Sequence, residues 1–419
     1  VDGSSAFAPA NQTNFYPKAS LSWVISEYWK GGNLSKLLGT AKLRGSYGQA
    51  GNLTGIGAYD RYNNYLLGIF NGATSIVPSR TLANPDVKPE RMTELEVGID
   101  LALLSNRLGI NFSVYQQTIS DLLLDRLLPP SAGGTSIVTN VGGMTNNGVE
   151  VLLNLSAVRR KNFDWNFGLN WSRNRNEVTG INGVLFLRGS DGTQAAIAGL
   201  PFGVFYGRYY ARNEDGELLT TAQGLAQPER GTQSTLLEGT IGRGQDGQPS
   251  GTELRKVIGD PNPDWIGSFV SDLRWKSLGF HFQFDAFWGA DIYNWNRITQ
   301  NNVGQGALAE QELKGEVPRG YVASVAGGVT GQRIQEEHVE DASYIKLREI
   351  SLSYHFGRLG NVFQDLSISL AGRNLVSFDS YTGFDPETNS AGQTDRVRGD
   401  DFGNVPIPAS FILRLGAKF

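Results

Sequence analysis

Residues 92 to 120 read MTELEVGIDLALLSNRLGINFSVYQQTIS. Leu95, Val97, Ile99, Leu101 and Leu103 alternate with Glu94, Glu96, Gly98, Asp100 and Ala102. After Leu104-Ser105-Asn106-Arg107 the alternation resumes, with Leu108, Ile110, Phe112 and Val114 set against Asn111, Ser113, Tyr115 and Gln117. A period of two puts apolar side chains on one face of a strand and polar ones on the other. Two such runs joined by so short a polar stretch predict an antiparallel hairpin.

The same pattern runs outward to both ends of the chain. Val149, Val151, Leu153 and Leu155 oppose Glu150, Asn154 and Ser156, and Phe163, Trp165, Phe167, Leu169 and Trp171 oppose Asp164, Asn166, Gly168, Asn170 and Ser172. Phe280, Phe282, Phe284 and Ala286 face away from His281, Gln283 and Asp285. The chain closes on Phe411, Leu413, Leu415, Ala417 and Phe419 against Ile412, Arg414, Gly416 and Lys418. Weaker runs cover 15 to 26, 41 to 49, 265 to 275 and 364 to 375, and in 344 to 356 a change of phase near Arg348 and Glu349 predicts a bulge. These runs amount to roughly eleven strands of about ten residues, the length a tilted strand needs to cross hydrocarbon.

A soluble sandwich also alternates, but two features favour a membrane barrel. The polar face is rich in Asn, Ser, Gln, Gly and isolated charges, while Trp and Phe gather near strand ends, as interfacial girdles require. Connections also alternate in length, with about 4 residues at 104 to 107 and 276 to 279 but about 28 at 120 to 147 and about 50 at 292 to 342. Residues 175 to 264 leave open whether Phe202 to Arg212 adds a wall hairpin or belongs to a loop.

Composition agrees with this reading. Among 419 residues there are 53 Gly, 11% aromatics and 19% charged residues, which suits many strands joined by flexible loops. Without cysteine there is neither a disulfide framework nor a thiolate metal site. A net charge of −4 gives no basic footprint, so nucleic acid is set aside as a partner. No run reaches the ~18 to 20 apolar residues of a spanning helix, and a mean hydropathy of −0.26 is compatible with a barrel that shows lipid only alternate residues.

Strand parity carries the expectation further. With short turns on the periplasmic side and Phe419 ending there, the loops 51 to 91, 120 to 146, 292 to 342 and 376 to 408 are extracellular and the first strand, 15 to 26, runs inward. An odd strand count does not close a bacterial single-chain barrel, and an open edge in lipid leaves backbone groups unpaired. Residues 1 to 419 are therefore expected to be the C-terminal part of a barrel, completed by strands upstream or on another chain.

Eight stretches, in order along the chain, resemble the SusC/RagA family of TonB-linked outer-membrane proteins: VDGSS at Val1, LRGSYGQAGN at Leu43, ANPDVKPERMTELEVGID at Ala83, NVGGMTNNGVEV at Asn140, GDPNPDW at Gly259, EDASYIKLREISLSY at Glu340, GRNLVSFDSYTGFDPE at Gly372 and the closing FILRLGAKF. The resemblance implies a transmembrane antiparallel β-barrel of 22 strands with an internal plug, of which this all-β chain supplies about eleven C-terminal strands. It implies bacterial outer-membrane localisation, contact with outer-membrane lipid, and TonB-dependent import of a glycan or peptide beneath a SusD-like surface lipoprotein. The plug, N-terminal extension and TonB box are not found in these residues. Where Lys88-Pro89-Glu90 stand, many relatives carry a Trp-Glu pair. A structural or adhesive barrel, or a component of a surface assembly, is the alternative, since it needs neither plug nor TonB box.

No Ser-His-Asp set can be assembled, so no catalytic residue, cofactor or metal site is expected, and an outer-membrane hydrolase is the less supported class. His281, His338 and His355 lack metal-ligand spacing, and His281 and His355 fall on the polar face of their strands. Gly242, Gly244 and Gly247 match GxGxxG without the strand-to-helix context of a nucleotide loop, and read as a flexible loop. Tyr59, Tyr62, Tyr65, Phe70, Phe378, Tyr381 and Phe384 lie in the predicted extracellular loops as candidate contacts for substrate or lid, with mutual loop packing the favoured reading. Asp379, Asp385, Glu387, Asp400 and Asp401 match no known Ca²⁺ loop and read as solvated. Phe411, Leu413, Leu415 and Phe419 resemble the terminal signal of barrel insertion, because the last strand stays exposed until the wall closes.

Overall fold

A computed structural model describes residues 2–28, 38–52, 56–187, 190–233, 239–327, 333–360, 362–392 and 397–419. One antiparallel sheet of eleven strands organises it, each strand paired with its neighbours in chain order. The strands are β1 (Lys18–Val24), β2 (Leu38–Asn52), β3 (Glu90–Leu103), β4 (Leu108–Ser120), β5 (Gly143–Arg160), β6 (Phe163–Thr179), β7 (Trp265–Trp275), β8 (Leu278–Trp288), β9 (Tyr344–Leu359), β10 (Phe363–Asp379) and β11 (Ser410–Lys418). No helix among the described residues is long and apolar enough to cross a membrane.

The register joins the alternating runs into one surface. Trp23 pairs with Leu43, Leu43 with Ile99, Ile99 with Phe112, Phe112 with Val151 and Val151 with Trp171. Farther along, Leu169 pairs with Phe269, Phe269 with Phe284, Phe284 with Leu347 and Leu347 with Val376. Directly paired residues share a face, so the apolar side chains form a band across all eleven strands, and many of them are exposed: Leu21, Leu95, Val97, Leu352, Leu370, Leu413 and Leu415. Water does not tolerate a continuous apolar patch of this extent, whereas lipid does. Trp265 stacks on Trp288 at one edge of the band, with ring centroids 6.2 Å apart. Trp165 and Trp275 mark the other edge, as an aromatic girdle does.

The two edges of the sheet are unequal. Short turns join β3 to β4 through Leu104–Arg107, β5 to β6 through Lys161–Asn162 and β7 to β8 through Lys276–Ser277. Arg159 and Arg160 belong to β5, because its pairing with β6 runs to Arg160↔Phe163. Leu104, Ser105 and Asn106 all take positive φ in their turn, a conformation that costs non-glycine residues about 1 kcal/mol or more each. The expected bulge is present, since the pairing of β9 slips between Leu347 and Glu349 against both β8 and β10.

The opposite edge carries the long excursions, and these hold the buried core. Residues 204 to 208 form a strand in a separate four-stranded sheet (184–186, 194–197, 204–208 and 255–259), so the open segment adds nothing to the wall. The 292 to 342 excursion holds helices that the sequence reading did not anticipate, α1 (Trp295–Asn302), α2 (Ala307–Lys314) and α3 (Tyr321–Ala326). Phe205, Tyr293, Ile298 and Ala326 make one buried cluster, and Tyr210, Ala226, Val325 and Ile334 another. Hydrophobic burial therefore sits in the loops, while the wall keeps its apolar face outward.

Candidate functional site

The polar face of the sheet is built from the alternate residues. Its β2–β3 portion is an ion lattice: Lys42 Nζ lies 2.6 Å from Asp100, whose other oxygen takes Arg44 Nε at 3.3 Å, and Arg44 also pairs with Glu96. The guanidinium of Arg44 lies flat over Gly98, where an added Cβ would meet it at 2.8 Å. From Glu94 a chain of amides crosses four strands. Gln117 Nε2 donates to Glu94 at 2.8 Å, Asn146 Nδ2 to Gln117 Oε1 at 3.0 Å, and Asn174 Nδ2 to Asn146 Oδ1 at 3.2 Å. Two residues along β6, Asn176 Nδ2 donates separately to Asn262 Oδ1 at 3.1 Å, and Asn262 Nδ2 donates to the Phe202 carbonyl at 2.9 Å, which docks the loop sheet on the wall. A cleft lined by Asn146, Asn174, Asn176, Glu90 and Arg398 opens beside this ladder.

At the far end of the sheet the 380 to 409 loop is fastened to the same face. Lys346 Nζ pairs with Asp385 and, at 3.0 Å, with Glu387. The bulge turns Arg348 to this face as well, where it holds Asp285 and Glu387, each at 2.8 Å. Burial pushes the Asp385 carboxyl up, but the Lys346 ammonium and the Glu387 and Ile407 N–H groups hold it below the usual carboxylate range. Glu340 accepts the Thr382 N–H at 2.9 Å, and the Tyr381 hydroxyl donates to Asp401 at 2.6 Å. Asp385, Asp400 and Asp401 are thus buried and bonded to protein groups. The solvated reading fails for these three because each meets a donor that the sequence does not reveal.

A second knot lies deeper in the loops. Asp191 pairs with Arg333, accepts the Tyr293 hydroxyl at 2.6 Å and takes Gln335 Nε2 at 3.1 Å. His338 is fully buried beside it, its Nε2 3.2 Å from the Val325 carbonyl, and burial pushes the imidazole down to about 4. That carbonyl can only accept, so Nε2 is the protonated nitrogen. His281 and His355 do lie on the polar face, against Asp272 at 2.7 Å and Asp365 at 3.0 Å.

The sequence-derived contact residues divide three ways. Tyr381 is 8% exposed and committed to Asp401, so it offers nothing to a ligand. Phe378 is not in a loop: it pairs with Ile345 in the wall and adds to the apolar band. Tyr59, Tyr62, Tyr65, Phe70 and Phe384 are exposed in this chain. Tyr65 and Phe70 belong to a hairpin, Tyr65–Phe70 paired with Ala73–Pro78, whose Leu67, Ile69 and Ile76 are also exposed.

The glycine-rich motif is a tight turn rather than a flexible loop. Gly244 N donates to the Gln248 carbonyl at 2.9 Å and Gly247 N to the Gly244 carbonyl at 3.0 Å, with Gly247 at φ +75°. The turns at Asn213–Glu217 and Thr221–Leu225 repeat the same two bonds. Sequence reasoning missed the amide ladder, the Lys346 cluster and the Asp191 knot. The first was legible as polar residues at period two, and the others lacked a local signal.

Several of the named stretches meet in these contacts. EDASYIKLREISLSY supplies Lys346 and Arg348, the stretch from Gly372 supplies their partners Asp385 and Glu387, NVGGMTNNGVEV supplies Asn146 and GDPNPDW supplies Asn262.

Comparison with known proteins agrees with this architecture. The TonB dependent receptor-like, beta-barrel family profile matches residues 1–375. The chain is 28% identical over 447 residues to TonB-dependent receptor P3 of Formosa agariphila, covering all of this chain and 43% of that protein. It is 24% identical to TonB-dependent receptor SusC of Bacteroides thetaiotaomicron, covering all of this chain and 41% of SusC. Among solved structures it superposes on a chain of the RagAB peptide transporter with a TM-score of 0.76 at 23% identity, over 99% of this chain and 44% of that one. The chain thus spans less than half the length of these relatives, as a partial barrel does. With its lipid-compatible band, its girdle and this family match, the chain belongs to the TonB-dependent receptor-like β-barrel family of the bacterial outer membrane, and within it resembles SusC and the RagAB chain.

Proposed function

We propose that this chain is the C-terminal wall portion of an importer that takes a nutrient, glycan or peptide, across the outer membrane, using energy relayed by TonB and a SusD-like surface lipoprotein as its lid. The observation that carries the reading is the two-sidedness of one sheet: an apolar band on one face, and on the other a lattice of ion pairs and amides such as Glu94–Gln117–Asn146–Asn174. That is a partition between lipid and an aqueous passage, and the family supports transport rather than catalysis.

The exposed hairpin 65 to 78 is the proposed contact with the lid. Ile69 is 84% exposed and Phe70 77%, beside Tyr65 and Leu67, and aromatic anchors of this kind are enriched at interfaces. Tyr59 and Tyr62 extend the surface, and the long-loop edge is its extracellular side.

The test uses the complete protein in its native host. Ile69→Cys should react with an impermeant maleimide on intact cells above the wild-type level, and less so when the SusD-like lipoprotein is expressed. Growth on the cognate nutrient should fail when either the receptor or TonB is deleted. Growth that is independent of TonB, with loss of surface attachment instead, would establish the adhesive alternative.

A further inference from the structure

Helices α1 and α2 and the 382 to 384 turn enclose a small cavity on the long-loop side of the molecule. Most polar groups around it are spent on the protein itself. Asn294 caps α1 by accepting the Arg297 N–H at 2.9 Å and donates to Glu340 at 3.0 Å. Asn296 is bonded to Asp401 at 2.9 Å and to the Gly403 N–H at 2.8 Å. Arg297 is neutralised by Glu337 at 2.6 Å and Glu340 at 3.5 Å.

Three amides remain available. Gln300 and Gln311 are exposed at the mouth on successive helices, and neither has a side-chain partner among the described residues. Asn301 lines the cavity at 2% exposure, and although its Oδ1 accepts the Ala309 N–H at 3.3 Å, its Nδ2 has no partner. A buried amide donor left unbonded costs about 1 to 3 kcal/mol, so such groups are normally satisfied by something. The site is also shaped to keep that amide in place. An added Cβ at Gly306 would come within 2.0 Å of Asn301 Oδ1, so only glycine lets α2 start where it does. The Phe384 ring forms one wall and is 71% exposed.

We propose that this cavity is a binding subsite for a neutral sugar residue. Amides pair bidentately with the vicinal hydroxyls of a pyranose, Asn301 Nδ2 supplies a buried donor that the protein leaves unbonded, and an exposed aromatic face packs on the apolar face of a sugar ring. The absence of uncompensated charge at the cavity argues against uronates and phosphorylated sugars. Capture of a peptide, the other nutrient class, by strand addition needs an extended sheet edge, which this helix-lined cavity does not offer. The inference names a substrate class for the import reading and rests on that reading only for its biological purpose, since binding is measurable without transport.

Calorimetric titration of the full-length receptor in detergent against maltotetraose, laminaritetraose, xylotetraose and mannotetraose tests it, with tetraalanine as the peptide control. At least one tetrasaccharide should bind, and Phe384→Ala and the double variant Gln300→Ala/Gln311→Ala should each weaken its Kd by about tenfold or more, with Phe384→Trp retaining it. All three positions are exposed, and heat-modifiable migration verifies that each variant folds. Absence of binding across the panel, binding of tetraalanine alone, or affinities unchanged in both alanine variants would overturn the subsite. Unchanged affinities with intact TonB-dependent uptake would leave import standing without the subsite. Weakened affinities with no TonB-dependent uptake would leave the subsite standing without import.

Discussion

The ammonium of Lys346, on the polar face of β9, lies 3.0 Å from the carboxylate of Glu387, 41 residues farther along the chain in the loop that follows β10. Lys346 and Asp385 are both buried, so their ion pair is shielded from salt and from water. Removing one member of such a pair leaves the other charge uncompensated, which costs about 3 to 5 kcal/mol. Lys346→Met is therefore expected to release the 380 to 409 loop without unfolding the wall. Hydrogen exchange at 381 to 392 should speed up while that of β9 and β10 stays slow. Lys346→Met/Asp385→Leu should restore part of the protection.

Leu153 pairs with Ile110 on one side and Leu169 on the other, in the middle of the apolar band. Leu153→Arg is expected to cost about 2 to 4 kcal/mol in folding into bilayers, and Asn154→Arg on the opposite face much less. Urea unfolding in lipid vesicles measures both. A larger cost for Asn154→Arg would mean that the two faces have been assigned the wrong way round, and equal costs that neither meets lipid alone.

His338 gives the loop cluster an acid limit. Burial lowers its folded value to about 4 from an unfolded 6.5. The neutral form is favoured in the folded state, so the associated stability is complete above pH 6.5 and falls as pH drops from there towards 4. The loss is on the order of 3 kcal/mol if fully expressed. Its Nδ1 has no partner, so a proton gained there meets no acceptor. Proteolysis of the loops should accelerate between pH 6.5 and 4 in the wild type. Loss of Asp385 pairing would follow only at lower pH, because that carboxyl is held below its usual range. His338→Gln, which keeps a donor for Val325, should flatten the first step.

Phe411, Leu413 and Leu415 are exposed on β11, a strand with one neighbour among the described residues, and Phe419, just past its end, is exposed too, its ring packed at 5.2 Å against Phe363. If they form an insertion signal, deleting Phe419 should slow appearance of the heat-modifiable folded species and leave its unfolding midpoint nearly unchanged. If Phe419 is one more girdle aromatic, insertion should proceed at the normal rate and the midpoint should fall, by its burial of about 2 to 3 kcal/mol at most.

The wall was legible in the sequence because its determinants are local. Alternation at Leu95 to Leu103 or Phe163 to Trp171 needs only neighbouring residues to be read, and the phase slip at Arg348 betrayed its bulge in the same way. Helices α1 to α3 were not, since none exceeds eight residues and each is held by packing against other loops rather than by a periodic stripe. The acidic residues at 385, 400 and 401 were misread for the same reason. Their partners, Lys346, Ser390, Asn296 and Tyr381, come together only when separate stretches of chain meet. Aromatic loop residues gave a mixed result, because a tyrosine bound to Asp401 and one open to water look identical in sequence.

The Asp191 knot also imposes an order on assembly. Asp191 meets Arg333 across 142 residues, and Gln194 reaches the Arg398 carbonyl across 204. Between those partners lie the wall strands β7 to β10, among which β7 and β8 pair over the two-residue turn Lys276–Ser277. Closing loops of such length carries an entropic penalty that near-neighbour pairing does not. The outer cluster is thus expected to tie itself after the strands beneath it are in place. A chain stalled midway through insertion would present open loops to surface proteases, while a completed one would not. The knot is therefore expected to form after the wall strands whose loops it joins, and resistance of the loops to protease would report that the sheet beneath them is complete.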